Sequence, residues 1–363
     1  MSTVRIAAAA AHFGRDLEFD LARIAKLIDD ARRSGAGLLV LPDAALGGYL
    51  ADLRHPDPEA LPPALKPDDP LILRVARLAA EMVVCVGYCE DGGDERYNSA
   101  VCVSGDGVLG RHRKVHLPAG EVAAYAPGDR FAAFDTPVGR LGMLIDYDKT
   151  FPESARSLAL DGAEILACLS AWPTSITNRA PRMAQDRQAK LFDLYDQARA
   201  AENQVVLASS NQTGAMGGMR FLGQSKVVGP GGDILARTWA KAGLAVAEVD
   251  VAAELDRARR VLRHLDERRP DAYRETGGAS GDGPAHGKPE PAADDGPPYR
   301  EPEPAAGGSP ARRESGPAAN DSPAHRDPGP ASGTPEPYET AERRIPVYQE
   351  TGEIPAQSRK IPS

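Results

Sequence analysis

The segment LGMLIDYDKTFPESARSLAL, residues 141–160, predicts a strand, a sharp turn and a helix in direct succession. Residues 141–145 are apolar apart from one glycine, which is typical of a buried strand, and the polar residues 146–148 end that strand. Pro152 suits the first turn of a helix, and Gly162 is a typical helix stop. Because α/β folds place reactive groups where strands end, Asp146 is a candidate site residue.

The chain on both sides of this segment alternates between strand and helix patterns. Leu17, Leu21, Ile24 and Ile28 repeat at helical spacing, whereas residues 4–10, 38–41, 82–88 and 164–169 have the character of buried strands. A long helix is predicted over residues 184–203 and a closing basic helix over 252–268. Hairpin signals, such as the turn at residues 105–107, are mixed with these strand–helix units, which favours a layered α/β domain with a mixed sheet.

Composition divides the 363 residues into a domain, 1–269, and a tail, 270–363. The tail contains 18 of the 32 prolines but only four residues among Leu, Ile, Val, Met, Phe and Trp. So little apolar material cannot form a core, so we expect the tail to be disordered. A weak repeat, YRETG at 273–277 and YQETG at 348–352, leaves open a short motif that binds a partner.

Charge and hydropathy exclude several functional classes. The net charge is −9, and the domain itself carries no basic excess to hold a phosphate backbone, which argues against nucleic-acid binding. The longest early apolar run, residues 6–11, is too short for a signal-peptide core, and no stretch approaches a membrane span. The four cysteines lie in apolar segments, as reduced buried cysteines do, so we expect a cytoplasmic protein.

Three polar residues end apolar strands: Asp43 after residues 38–42, Lys114 after 108–113 and Asp146 after 141–145. Taken singly, each is explained better as a solvated turn residue. Strand ends that meet at one sheet edge would bring the three together.

The segments around these residues resemble the carbon–nitrogen hydrolase (nitrilase) superfamily over nearly the whole domain. The matching segments are LVLPDAALGGY at 39–49, YNSA at 97–100, GRHRKVHL at 110–117, GMLIDYDKTFPE at 142–153, RAAEN at 199–203 and GQSK at 223–226. The resemblance implies a four-layer α-β-β-α sandwich, a homodimer or larger assembly, and a small amide, nitrile or carbamoyl compound as ligand. It implies neither a cofactor nor a metal.

The family's chemistry uses a cysteine thiolate that attacks the amide or nitrile carbon, a glutamate that acts as base and acid, and a lysine that stabilises the developing negative charge together with a backbone N–H. The resemblance assigns the lysine to Lys114 and the backbone N–H to Tyr147. The glutamate position holds Asp43, and the cysteine position holds Asp146. Glu121 falls where many members carry a second glutamate.

Two aromatic residues, Tyr49 and Trp172, follow strand ends where members of the family line the ligand site, although core packing explains them equally well. His116 is expected to be a structural strand histidine. Cys168 lies in the middle of a predicted strand, at 165–169, so it is a poor replacement nucleophile.

Both triad substitutions weaken hydrolysis. The Asp43 carboxylate is one methylene short of the base position, and a carboxylate at 146 would form an anhydride that collapses back to substrate. Three carboxylates also face one lysine, so either one of them is protonated or the site holds an extra cation or a cationic ligand. Clustered carboxylates of this kind could also bind Mg²⁺ or Ca²⁺. The favoured hypothesis is a pseudoenzyme that binds an amide-like ligand or a paralogue, with an Asp146–Lys114 ion pair plugging the site. The alternatives are an enzyme that uses Asp146 in altered chemistry and an ordinary amidase whose triad has been disabled.

Overall fold

The structure is a computed structural model that describes residues 3–273. The expected tail begins at residue 270, and its residues 274–363 lie outside the described residues. Residues 270–273 belong to the described part, and Pro270–Ala272 is a short 3₁₀ turn.

The described residues form fifteen strands and six α-helices. The strands are β1 (Val4–Ala11), β2 (Leu38–Val40), β3 (Ala64–Leu65), β4 (Val83–Asp91), β5 (Arg96–Ser104), β6 (Gly107–Arg113), β7 (Phe134–Thr136), β8 (Gly139–Ile145), β9 (Ile165–Ser170), β10 (Val206–Gln212), β11 (Ala215–Met216), β12 (Met219–Arg220), β13 (Lys226–Val228), β14 (Ile234–Arg237) and β15 (Gly243–Val249). The helices are α1 (Leu17–Arg33), α2 (Pro70–Ala79), α3 (Glu121–Ala124), α4 (Pro152–Leu160), α5 (Arg187–Asn203) and α6 (Val251–Ala258).

The main sheet is mixed, as expected. Its strands follow the order β6-β5-β4-β2-β1-β10-β9-β8-β7, with parallel pairs in the middle and antiparallel hairpins at both ends. One apolar core joins residues of its first half, such as Leu38 and Val83, to residues of its second half, such as Met143 and Ile165. The two halves therefore lie face to face.

A helix pair covers the outer face of each half. Helices α1 and α2 pack on the alternate residues of the first half, among them Leu39 and Val84. Helices α4 and α5 pack on those of the second half, among them Leu144 and Leu166. Because strand side chains alternate between faces, neighbours such as Leu38 and Leu39 enter different cores. The four-layer α-β-β-α sandwich is confirmed. No helix among residues 3–273 combines the length and apolarity needed to cross a membrane.

Two predicted helix boundaries were wrong. The closing helix ends at Ala258 rather than near residue 268, because the Gln204 side chain donates to the carbonyls of Ala258 and Leu262 and so caps the chain there. The long helix begins at residue 187, because the Asp186 side chain accepts from the N–H of Gln188 as an N-cap.

Gly87 in β4 passes beneath the loop that follows β2. A Cβ at this position would lie 2.6 Å from the backbone nitrogen of Ala44 and 2.9 Å from Cα of Asp43. We expect Gly87→Ala to lower the free energy of unfolding by about 1–3 kcal/mol, since the added methyl displaces backbone rather than a flexible side chain. Urea unfolding measures this loss, and Gly14→Ala is the matched control because open space surrounds that position. Equal stability of the two variants would contradict the tight packing.

Candidate functional site

The turn after β8 holds Asp146 in a backbone conformation that L-residues rarely adopt. Its φ is +48°, and a 3₁₀ turn over Asp146–Thr150 carries the chain into α4. Such a conformation costs on the order of 1–3 kcal/mol and persists only where the surroundings enforce it. Here the Asp146 Oδ1 atom accepts from the N–H of Ala171, which follows β9, at 3.2 Å.

Asp148, in the same turn, ties the turn to the segment that follows β6. Its buried carboxylate accepts from the backbone N–H groups of Ile145, Val115 and His116 and lies 2.9 and 3.0 Å from the ring nitrogens of His112 and His116. Burial alone would raise the pKa of Asp148, but these hydrogen bonds outweigh it and hold the pKa well below its usual range. The turn and the residues around Lys114 are therefore held in one arrangement.

Lys114 lies at the end of β6 with a fully buried side chain. Its Nζ atom is 2.9 Å from Glu121 Oε1 and 3.4 Å from Asp146 Oδ2. Burial by itself would lower the pKa of Lys114, but the neighbouring carboxylates of Glu121, Asp146 and Asp43 raise it above its usual value, so the lysine is charged.

Asp43 follows β2 and is fully buried. Asn98 in β5 donates its side-chain N–H to Asp43 Oδ2 at 3.0 Å, and Gln212 donates to the backbone carbonyl of Asp43 at 2.8 Å. The other carboxylate oxygen, Oδ1, has no hydrogen-bond partner among the described residues. Burial and the charges of Asp146 and Glu121 raise the pKa of Asp43 to about 7, against the opposing effect of Lys114.

Glu121 opens the short helix α3 and contacts two of the predicted site residues. Besides its ion pair with Lys114, its Oε1 atom accepts a hydrogen bond from the Tyr49 hydroxyl. Tyr49 is fully buried and packs edge-on against Phe221. It is not among the residues that line the neighbouring cleft. Contact between Tyr49 and a ligand stays a prediction.

A cleft of about 320 Å³ reaches this cluster from outside, and Asp146, Tyr147 and Trp172 are among its lining residues. The indole N–H of Trp172 donates to the Gln188 side chain at 3.0 Å, which fixes the ring on the cleft wall. The remaining lining residues are Leu53, Arg54, Pro118, Ala119, Pro173, Thr174, Ile176, Thr177 and Gln188. The space suits a small ligand.

The four cysteines are free and buried, and none of them lines this cleft. Burial raises the pKa of the Cys168 thiol to about 12, so it is protonated at neutral pH. No group of three or more His, Cys, Asp or Glu side chains within residues 3–273 is arranged to hold a metal ion. His116 follows β6 instead of lying in the expected strand. Its ring stacks on Phe151 at 3.8 Å between ring centroids and contacts Asp148, which is a structural arrangement.

Sequence reasoning missed the roles of Asn98 and Asp148. Asn98 had a detectable signal, because it is a polar residue at the start of an apolar strand segment. Asp148 had none in the linear sequence, since its partners His112 and His116 lie more than 30 residues away.

The titration of Asp43 predicts how stability changes with pH. The folded chain keeps the Asp43 proton up to a pKa of about 7, whereas the unfolded chain loses it near 3.8, so unfolding releases a proton between these values. Stability from this group is therefore lost as the pH rises from about 4 to 7. At pH 8 the free energy of unfolding of Asp43→Asn should exceed that of the unchanged chain by on the order of 1–4 kcal/mol, and at pH 5 the difference should be smaller. Urea unfolding at the two pH values measures both differences. Asp94→Asn, on an exposed turn, serves as control. A difference independent of pH would contradict the raised pKa.

Comparison with known proteins places this geometry in a family. The carbon–nitrogen hydrolase model matches residues 5–258. A nitrilase from Pyrococcus abyssi is 32% identical over 229 residues, covering 62% of this chain and 81% of the relative. N-carbamoylputrescine amidase from Arabidopsis thaliana is 30% identical over 276 residues, covering 71% and 90%.

Solved structures of similar proteins have the same fold as this chain. A carbon–nitrogen hydrolase from Helicobacter pylori G27 superposes with a TM-score of 0.65 at 26% identity, covering 75% of this chain and 97% of the other. A double mutant of the amidase from Nesterenkonia sp. AN1, in complex with acrylamide, gives 0.60 at 25% identity, covering 75% and 96%. Structures of that amidase show covalent addition at its active-site cysteine. With the family model matched over most of the described residues, this chain belongs to the carbon–nitrogen hydrolase family.

Proposed function

We propose that this chain binds a small amide or carbamoyl compound in the cleft and is catalytically impaired as a hydrolase. One observation carries the proposal: the residue on the bent turn at the end of the cleft is Asp146, and its carboxylate is paired with Lys114. In this assignment Asp43, Lys114 and Asp146 occupy the triad positions, and Glu121 orients Lys114.

Asp146 is a poor substitute for a thiolate. A carboxylate is a weak nucleophile toward an unactivated amide, and the anhydride it forms returns to substrate more readily than a thioester does. Its ion pair with Lys114 also engages the cation that would stabilise the developing negative charge. Loss of a hydrolase nucleophile typically costs on the order of 10⁶ in turnover.

The ligand class is supported by the cleft and by the relatives. The cleft volume of about 320 Å³ is at the small end for ligand sites. Trp172 supplies an apolar wall, and the backbone N–H of Tyr147 is assigned to the ligand's oxygen. N-carbamoylputrescine amidase and an amidase seen with acrylamide are among the proteins that this chain resembles.

Binding and turnover measured side by side test the proposal. We expect acetamide and N-carbamoyl amines to bind in isothermal titration calorimetry with millimolar or better affinity, and to release no ammonia above the uncatalysed rate. Trp172→Ala should weaken binding, whereas Cys168→Ser should leave it unchanged. If no compound in a panel of amides, nitriles and N-carbamoyl compounds binds, the proposal fails.

A second candidate is an active hydrolase of a non-peptide C–N bond that uses Asp146 in altered chemistry. The Asp43 pKa of about 7 favours it, because a carboxyl group that titrates near neutrality can serve as acid and base. Ammonia release by the unchanged chain that disappears in Asp146→Ala would establish this candidate and overturn impairment.

We also propose that the chain forms a homodimer or larger assembly in a reducing cytoplasm, where its free cysteines would remain reduced. Light scattering coupled to size-exclusion chromatography measures the assembly directly, and a mass of one chain, 38.4 kDa, would contradict it.

A further inference from the structure

The buried cluster at the end of the cleft carries more negative than positive charge. Asp43, Glu121 and Asp146 surround Lys114, whose charge influences all three carboxyl groups. Arg54 also lines the cleft, and counting both cations still leaves an excess of one negative charge when all three carboxyl groups are ionised. Buried charge without a partner is costly, so such a site favours either a proton or a cationic ligand.

Two oxygen atoms of this cluster are free to accept hydrogen bonds. Asp43 Oδ1 and Glu121 Oε2 are buried and have no hydrogen-bond donor within residues 3–273. Leaving a buried charged acceptor unpaired costs more than leaving a neutral one unpaired, and native proteins rarely do so without a reason. Among the described residues, the cluster therefore has two acceptor oxygens without an N–H or O–H donor, in addition to its excess of negative charge.

Asp146 is the group through which a ligand would meet this cluster. It lines the cleft, and its Oδ2 atom lies 3.4 Å from Lys114 Nζ, a long separation for an ion pair. By contrast, Lys114 lies 2.9 Å from Glu121. The lysine is thus committed mainly to Glu121, which leaves the Asp146 carboxylate incompletely neutralised.

We propose that the preferred ligand is a small planar cation that donates several N–H bonds, of the amidinium or guanidinium class, rather than a neutral amide. Such a group supplies both the positive charge and the N–H donors that the unpartnered oxygens lack. Its planar pairs of N–H groups can also bind a carboxylate in a bidentate manner. The Trp172 ring on the cleft wall offers a flat surface for the same cation. This inference rests on the proposed function, because it names the ligand class of the same cleft.

Acetamidinium and acetamide form the test pair, since they share size and shape and differ in charge and donors. Calorimetry at pH 8 should give acetamidinium a dissociation constant at least about tenfold lower than that of acetamide. Ammonium, as a non-planar cation, should bind more weakly than acetamidinium. Equal or tighter binding of acetamide would overturn this inference while leaving the proposed function intact, and absence of binding by either compound would overturn both.

Two variants identify the responsible oxygens. Asp43→Asn and Glu121→Gln keep the shape of each side chain and remove its charge, and each should lower the ratio of acetamidinium affinity to acetamide affinity about tenfold or more. Glu90→Gln is the matched control, because Glu90 is a buried carboxylate paired with Arg113 outside the cluster. Circular dichroism verifies that the variants fold. A Glu90→Gln effect as large as the other two would contradict the assignment.

The pH dependence of acetamidinium affinity distinguishes direct binding by Asp43 from a purely structural role of Asp43, which would not change affinity with pH in this way. Acetamidinium should displace the Asp43 proton, so its affinity should rise about tenfold between pH 6 and pH 8, and Asp43→Asn should abolish that rise. The groups that surround Asp43 and enter this titration are Lys114, Asp146, Glu121, Asn98, Tyr49 and Tyr125. Affinity that does not change with pH in the unchanged chain would show that Asp43 does not face the ligand.

Discussion

We expect the double substitution Asp43→Glu/Asp146→Cys to give a protein that releases ammonia from a small amide at least about 10³ times faster than the unchanged chain. The proposed assignment of these positions to the triad is the basis of this expectation. The turn holds residue 146 at a φ of +48°, which aims its side chain out of the strand, and Lys114 contacts that side chain. A cysteine thiolate next to the lysine has a lowered pKa and attacks an amide carbon far better than a carboxylate does.

The Asp43→Glu change restores the reach of the base. Its extra methylene moves the carboxylate roughly 1 Å, and a displacement of that size alters rates on the order of 100-fold. Asp146→Cys alone should therefore restore part of the activity, and Asp43→Glu alone should restore none because the nucleophile is still absent.

Ammonia release over a panel of amides, nitriles and N-carbamoyl compounds measures the gain, with Lys114→Ala in the double variant as the control that should remove it. A folded double variant that is inactive on every compound would contradict the assignment of these positions to the triad. A gain that survives Lys114→Ala would instead contradict the role given to the lysine.

Much of the fold was predictable because strand and helix periodicity is a local property. In the segment around Asp146 the strand ends at Ile145 and the helix begins at Pro152, as the apolar run and Pro152 indicate. The strand begins at Gly139, two residues before the apolar run. The start of α5 at residue 187 and the end of α6 at residue 258 do not follow from apolar periodicity, because a capping side chain sets each of them. Asp186 caps the start of α5 locally, whereas Gln204, distant in sequence, caps the end of α6.

The site was predictable only in part for the same reason. Asp43, Lys114 and Asp146 could be singled out because each ends an apolar strand. Their charge balance could be foreseen from the residue types, but the unpartnered oxygens of Asp43 and Glu121 could not, because hydrogen bonding depends on distances set by the whole fold. Family resemblance singled out the residues, and the packing around Asp43 and Lys114 shifts the pKa of each of these two groups.

Removing the carboxylate of Asp148 should have the largest effect on stability. Asp148→Ala leaves three buried or half-buried backbone N–H groups and two histidine rings without their acceptor. Each buried donor left unpaired costs about 1–3 kcal/mol, although relaxation makes the sum smaller than five such losses. We expect the free energy of unfolding to fall by about 3–5 kcal/mol, as it does when one partner of a buried charged network is removed.

Urea unfolding of three variants separates this effect from simple loss of a hydrogen bond. Asp148→Asn keeps one acceptor oxygen and should lose less stability than Asp148→Ala. Asp69→Ala removes the N-cap of α2, a single hydrogen bond from the N–H of Leu71, and should cost about 1 kcal/mol. If Asp148→Ala costs no more than Asp69→Ala, Asp148 is not what holds the turn. If stability falls as expected, the bent conformation of Asp146 depends on a neighbour two residues away, and ligand affinity should fall in Asp148→Asn even where that variant remains folded.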